Sequence, residues 1–158
     1  MRSTAQRIQA LQAEAKDLEN EILALGRQQA PELLGLLGVG PITAPQILVS
    51  WSHPGRFRSE AAFAGVSPIP ASSGLTNRHR LNRSGDRQLN RAIHTITLIR
   101  MRLDPSTKTY VARRATAGKT SRDAQRCLKR VICRQIFKVL EHVDRNRLGN
   151  VEELAQAA

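Results

Sequence analysis

The chain has 158 residues, 41% of them hydrophobic, and its 25 basic against 13 acidic side chains set a formal net charge of +12. That length and apolar content support one packed domain with an appendage, while the absence of any run near the roughly 18 apolar residues of a membrane span, and of an apolar signal-peptide core, excludes those classes. Twenty of the 25 basic residues are arginine, whose planar fork binds phosphate oxygens in pairs, so the imbalance points to a nucleic-acid partner in the cytoplasm, with the nucleoid as the expected location, and not to a membrane surface.

Residues 3–25 carry Ile8, Leu11, Ala15, Leu18, Ile22 and Leu25 at alternating spacings of three and four, a heptad seam with Glu14, Lys16, Asp17, Glu19 and Glu21 outside it. The spacing predicts a coiled-coil helix over 1–28, which either packs on its own domain or pairs with a second copy into a homo-oligomer. A domain over 29–143 follows, then a polar tail over 144–158. Pro31 opens a helix predicted for Glu32 to Leu37, closed by Gly38. Gly38-Val39-Gly40-Pro41-Ile42-Thr43-Ala44 reads as the hairpin of a helix-hairpin-helix, where Gly38 and Gly40 would either present amides to a phosphate or only let two helices pack.

A loop from Trp51 to Gly55 leads through Phe57 to a short helix with Ser59 as its N-cap and Phe63 in the core. Ser84-Gly85-Asp86 marks the entry to a long helix whose stripe is Leu89, Ala92, Ile93, Ile96, Ile99 and Leu103, with Arg87, Asn90, Arg91 and His94 off it. Asp104-Pro105-Ser106 ends it, and the polar segment to Gly118 reads as a helix or ordered loop. A last helix from about Ser121 carries Ala124, Leu128, Val131, Ile132, Gln135, Ile136, Val139 and Val143, with basic residues on its other sides. Cys127 and Cys133, six apart on this helix and without neighbouring histidines, fit neither a disulfide nor a zinc site.

Between these helices, Pro68 to Arg80 has no helical period and reads as a loop or small β-hairpin. It brings Ser72-Ser73-Gly74 directly before Arg78, His79, Arg80 and Arg83. Hydroxyls on an open turn followed by cations suit attack on a phosphodiester, although Ser-Ser-Gly is also an ordinary surface turn. His79 is either a base or, more in keeping with its basic surroundings, another phosphate contact. Asp86 is the one carboxylate between Glu60 and Asp104, so no acid pair near the serines is available for magnesium and no metal site is expected in the chain.

Phe63-Ala64-Gly65-Val66-Ser67-Pro68, then Ser72-Ser73-Gly74, then Arg83-Ser84-Gly85-Asp86 and Leu89 together resemble the C-terminal transposase domain of the insertion-sequence 110 family, the bacterial DEDD transposases described as bridge-RNA-guided recombinases. The resemblance runs from about Leu33 to about Leu140. It implies a mainly α domain, DNA and a guide RNA as partners, and Ser73, directly before Gly74, as the nucleophile that forms a phosphoserine link to DNA. Arg78, Arg80, Arg83, Arg87 and Arg91 can then be given roles as contacts to the DNA or guide-RNA backbone near the attacked phosphate, with a solvated surface charge as the alternative for any one of them taken singly. In the family an acidic tetrad on an N-terminal RuvC-like domain binds Mg2+, and a coiled coil joins that domain to this one. The expectation is therefore of a C-terminal part of a longer protein, inactive by itself. Two other readings stay open: a non-catalytic helix-hairpin-helix module that only holds DNA, and an assembly module built on the heptad segment.

Overall fold

The computed structural model describes residues 2–63, 69–70, 79–80 and 86–156. They form a mainly helical chain: α1 (Arg2–Gln29), α2 (Pro31–Leu34), α3 (Thr43–Trp51), α4 (Glu60–Phe63), α5 (Arg87–Leu103), α6 (Pro105–Thr116) and α7 (Ser121–Gln156). Two short strands, β1 (Ile69–Pro70) and β2 (His79–Arg80), pair antiparallel, with Ile69 opposite Arg80 and Pro70 opposite His79.

The core lies where α5 meets α3 on one side and α7 on the other. Leu89, Ala92, Ile93 and Ile96 of α5 are buried, as a 3.6-residue period requires. Leu103, expected on the same stripe, is 61% exposed. The core ends one turn earlier, at Arg100. On α7 the buried residues are Ala124, Leu128, Ile132, Cys133, Ile136, Phe137, Leu140 and Val143. Val131 and Gln135, expected inside, are exposed. The buried face of α7 is turned toward Cys133 and Phe137 because α4 packs there: the Cys133 thiol points at the Glu60 carbonyl, 3.5 Å away, and Phe63 lies edge-on to Phe137 at 5.9 Å. Neither Cys127 nor Cys133 takes part in a disulfide. Beyond Val143, α7 continues through the predicted tail to Gln156.

The chain has three phenylalanines and one tryptophan, and all four meet in one cluster. Trp51, the last residue of α3, stands edge-on to Phe63 at 5.4 Å and to Phe137 at 5.3 Å, and Phe57 packs edge-on to Phe63 at 5.2 Å. Its indole N–H donates to Asp144 Oδ2 at 2.6 Å, so the one polar atom of the ring is satisfied at the rim. Edge-to-face pairs of this kind add about 0.5–1.5 kcal/mol each beyond the area they bury.

Helix α2 stops at Leu34, three residues short of the predicted end. Gly35 has low helix propensity, and from there the chain turns by short-range bonds, Leu36 N–H to Leu33 O at 3.2 Å and Val39 N–H to Leu36 O at 3.0 Å. Gly38 then takes a left-handed φ of 84°. A β-carbon there would stand 3.2 Å from the carbonyl oxygen of Ile96 and 3.3 Å from its Cγ2, so the residue is constrained by both backbone angle and contact with α5.

Arg100 locks the same turn from below. Its side chain is only 7% exposed, with Nε donating to the Leu37 carbonyl and Nη1 to Gln135 Oε1, both at 2.6 Å. Burial pushes its pKa down and the nearby Asp104 charge pushes it back up; a guanidinium remains protonated throughout. One side chain thus ties the α2–α3 turn to α5 and α7. Replacing it, Arg100→Met, leaves the Leu37 carbonyl and the Gln135 amide without their donor and is expected to cost about 2–4 kcal/mol in chemical denaturation. Arg100→Lys should recover less than half, because an ammonium does not reproduce the two-pronged geometry. A loss below about 0.5 kcal/mol, the size of an ordinary surface change, would show that the clamp contributes nothing.

Candidate nucleic-acid interface

The predicted site residues divide into three groups. Ser72, Ser73, Arg78 and Arg83 lie outside the described residues, and for His79 and Arg80 the backbone pairing of β2 with β1 is described. Arg87 and Arg91 are exposed on α5, one turn apart. Gly38 and Gly40 lie in the turn between α2 and α3, where both are engaged within the fold: Gly38 packs on Ile96, and the Gly40 N–H donates to Thr43 Oγ1 at 2.8 Å.

The described residues that flank segment 64–85 are firmly anchored. On the entering side, Phe63 is 1% exposed in the aromatic cluster. Helix α4 is further held to α7 by Arg134, whose Nε donates to Glu60 Oε1 at 2.7 Å. On the leaving side, Asp86 caps α5: its Oδ1 accepts the N–H groups of Gln88 and Leu89, both at 2.9 Å. Partial burial tends to raise the Asp86 pKa, yet the bonds from Leu89 N–H, the Ser50 hydroxyl and Gln88 N–H outweigh it and hold the carboxyl below the ordinary 3.8. The entering flank is thus held by the end of α3, Trp51 through Phe63, and the leaving flank by the cap that Asp86 makes on α5.

Asp86 is therefore a structural carboxylate, engaged by two amides. Among the described residues no three His, Cys, Asp or Glu side chains gather as a metal site, and residues 64–85 contain no acid. The residues present do not fit a magnesium site. What surrounds the segment is positive: residues 1–28 hold four basic and four acidic side chains, so the whole excess of +12 belongs to residues 29–158. Two ion pairs occur among the described residues, Arg126–Asp123 at 3.2 Å and Arg134–Glu60 at 2.7 Å. Among the described residues most of the cations therefore have no ion-pair partner to neutralise them, which suits a surface that binds phosphates.

On α6, Tyr110 is flanked by two guanidiniums, Arg113 at 5.8 Å and Arg114 at 5.2 Å from the ring centre, and Arg114 Nε donates to the phenol oxygen at 3.2 Å. This cation–aromatic stack adds a further basic feature. Sequence alone placed Arg113 and Arg114 only in a polar segment; the i, i+3 and i, i+4 spacing from the single tyrosine was the available signal.

A family model described as the Transposase IS116/IS110/IS902 family matches residues 30–112. The chain is 32% identical over 144 residues to the "Insertion element IS110 uncharacterized 43.6 kDa protein" of Streptomyces coelicolor, covering 87% of this chain and 36% of that protein. It is 32% identical over 133 residues to the "Insertion element IS900 uncharacterized 42 kDa protein" of Mycobacterium paratuberculosis, covering 80% and 33%. The chain thus spans about a third of the length of these relatives.

The cap gives a pH test. Because the folded-state pKa of Asp86 is depressed, its contribution to stability is complete above the ordinary value of 3.8 and is lost as pH falls through the folded value. Asp104 and Asp123 are lowered as well, so the comparison must be differential. Asp86→Ala should cost about 1 kcal/mol near neutral pH, and the gap between the two proteins' thermal midpoints should close as pH falls below that range. A gap that stays constant down to the acid limit would mean that the carboxylate charge has no part in the cap.

Proposed function

The chain belongs to the IS116/IS110/IS902 transposase family, and from that premise we propose that it acts in DNA transposition by presenting Ser73 to a DNA phosphate within a basic, nucleic-acid-binding surface. The observation that carries this reading is that both described residues flanking the serine-bearing segment are fixed in the fold, Phe63 by Trp51 in the aromatic cluster and Asp86 as the cap of α5. A nucleophile gains most from being held in place, since a positioned attack removes much of the entropic barrier. In the proposed step, the Ser73 oxygen attacks phosphorus and forms a P–O bond, the bond to one strand oxygen breaks, and the serine proton leaves to that oxygen or to solvent. Arg78, Arg80 and Arg83, with Arg87 and Arg91 on α5, offset the charge that grows on the phosphate. His79 belongs to the same set of backbone contacts. Guide RNA is the second proposed ligand of this surface, and acids for a metal ion come from residues outside it.

Helix α1 supports a further part of the reading. Ile8, Leu11, Leu18 and Leu25 on its heptad seam are each at least half exposed, at 51%, 50%, 51% and 60%. An apolar seam on a 28-residue helix whose charges cancel is suited to a second copy of itself, because no net repulsion opposes pairing. We take the working unit to be a homodimer through residues 3–25.

Two experiments address these points. In a transposition assay with metal ion, guide RNA and matched DNAs, Ser73→Ala should abolish strand exchange and any covalent DNA–protein species trapped under denaturing conditions, with nucleic-acid affinity nearly unchanged. Ser72→Ala should keep most activity. The serine assignment would be falsified if Ser73→Ala still formed the adduct at the normal rate. For assembly, Leu18→Glu places an unpaired charge in the seam and should convert dimer to monomer in sedimentation; equal masses for the two proteins would remove α1 as the dimer interface.

A further inference from the structure

Where α7 packs against α5, Lys129 donates from Nζ to Asn90 Oδ1 at 3.2 Å. That acceptor is neutral. Neither ion pair among the described residues includes Lys129, yet the side chain is partly buried, and burial pushes its pKa down with no acid to offset it. One turn along α5 from Asn90, the Nδ1 atom of His94 is buried without a hydrogen-bond partner. Desolvation, and then the Lys129 charge, lower the His94 pKa below 6.5, so the imidazole is neutral at physiological pH.

A partly desolvated ammonium beside a neutral amide is costly unless an anion completes it. Among the described residues no acid pairs with it. Segment 64–85 contains no Asp or Glu, and Glu152 and Glu153 lie 23 or more residues further along the sequence from Lys129, about 35 Å along a continuous α7 at the helical rise. Arg126, on the turn before Lys129, already has Asp123. Lys129 keeps two further N–H donors after the bond to Asn90. The exposed Arg87, one turn before Asn90, and Arg91, beside it, extend the positive surface over the same helix.

We propose that Lys129, oriented by Asn90, is a binding site for a backbone phosphate of a nucleic acid, one that passes over the contact between α5 and α7. The inference rests on the nucleic-acid reading above and adds to it a contact from α7. Asn90 stands four residues into the chain from Asp86, about 6 Å along the helix axis, so a strand held by Lys129 passes close to where the serine-bearing segment rejoins the fold. Lys129 positions the strand in this scheme and takes no part in bond breaking. Its basic neighbours on α7, such as Arg130 and Lys138, are exposed; Lys129 differs in being held by a partner on another helix before any ligand arrives, which reduces the ordering cost of the contact.

The test uses the whole chain with two labelled probes of arbitrary sequence, a short DNA duplex and an RNA hairpin, titrated at several salt concentrations. Lys129→Met keeps the aliphatic stem and removes the charge. It should make the slope of log affinity against log salt shallower by about 0.9 for a duplex phosphate, while leaving the thermal midpoint unchanged or higher, since the free protein sheds an unpaired, partly buried charge. Lys129→Arg should restore the slope. A change confined to one probe assigns the strand to DNA or to RNA. If wild-type binding is salt-dependent and Lys129→Met leaves both slopes intact, the inference is wrong; a fall in thermal midpoint with intact slopes would make Lys129 a structural residue and overturn it equally. Failure of the wild-type chain to bind either probe would instead remove the nucleic-acid reading on which it rests.

Discussion

The end of α3 is the constraint on which the rest of this structure depends. Trp51 gathers Phe57, Phe63 and Phe137 around one indole, and Ser50 beside it is buried. A chain with 3% aromatic residues places four of its five aromatic rings at this point. The result ties α3, α4 and α7 together with apolar contacts that do not weaken in salt, whereas the surface around them is dominated by charge that does. Binding through phosphate contacts demands many like charges on one domain, and their mutual repulsion opposes folding. A concentrated aromatic centre, with Arg100 bridging a carbonyl and an amide, resists that repulsion chiefly through contacts that leave most of the cations unpaired by acids among the described residues.

Much of the helical framework was legible from the sequence because its causes are local. The heptad spacing of α1, the Asp86 cap with the stripe that follows it, and Ser59 before α4 each depend on residues within a few positions of one another. Phe57 and Phe63 were also legible as core, since large aromatics have few other places to go in a chain this polar. What sequence did not reveal depends on partners far along the chain. Arg100 reads as one more surface cation, and only the Leu37 carbonyl, 63 residues away, makes it an interior residue. Leu103 reads as core by period, but the core ends at Arg100, and period alone does not say where a helix outruns its neighbours. The face of α7 was misjudged for the same reason. Phe137 lies between two other apolar positions and a lysine, and the pull that brings it inward comes from Trp51 on another helix.

The candidate interface shows a similar division. Arg87 and Arg91 were found by charge and position, and both are exposed on α5. Gly38 was singled out for its backbone freedom, which it uses, but its close approach to Ile96 has a packing origin. Lys129 was indistinguishable from the other cations of α7, because what sets it apart is burial and an amide partner 39 residues earlier. Composition reports how much positive charge a chain carries; pairing across helices decides which of those charges stand already oriented.

The arrangement also bears on how α1 relates to the basic domain. Arg147 of α7 donates to the main-chain carbonyl of Gln29 and, at 2.8 Å, to its side-chain oxygen. Gln29 is the last residue of α1, where unsatisfied carbonyls concentrate the negative end of the helix dipole, so a guanidinium there is favoured both by hydrogen bonding and by field. Pro31 opens α2 directly afterwards, and Leu33 and Ala30 are buried, so the junction is fixed by packing on one side and by Arg147 on the other. A helix held in this way leaves the domain in a set direction instead of swinging on a linker. In the proposed homodimer, two domains joined through such helices would meet a nucleic acid at a separation fixed by the protein, and the uncharged balance of α1 would keep that helix from competing for phosphates.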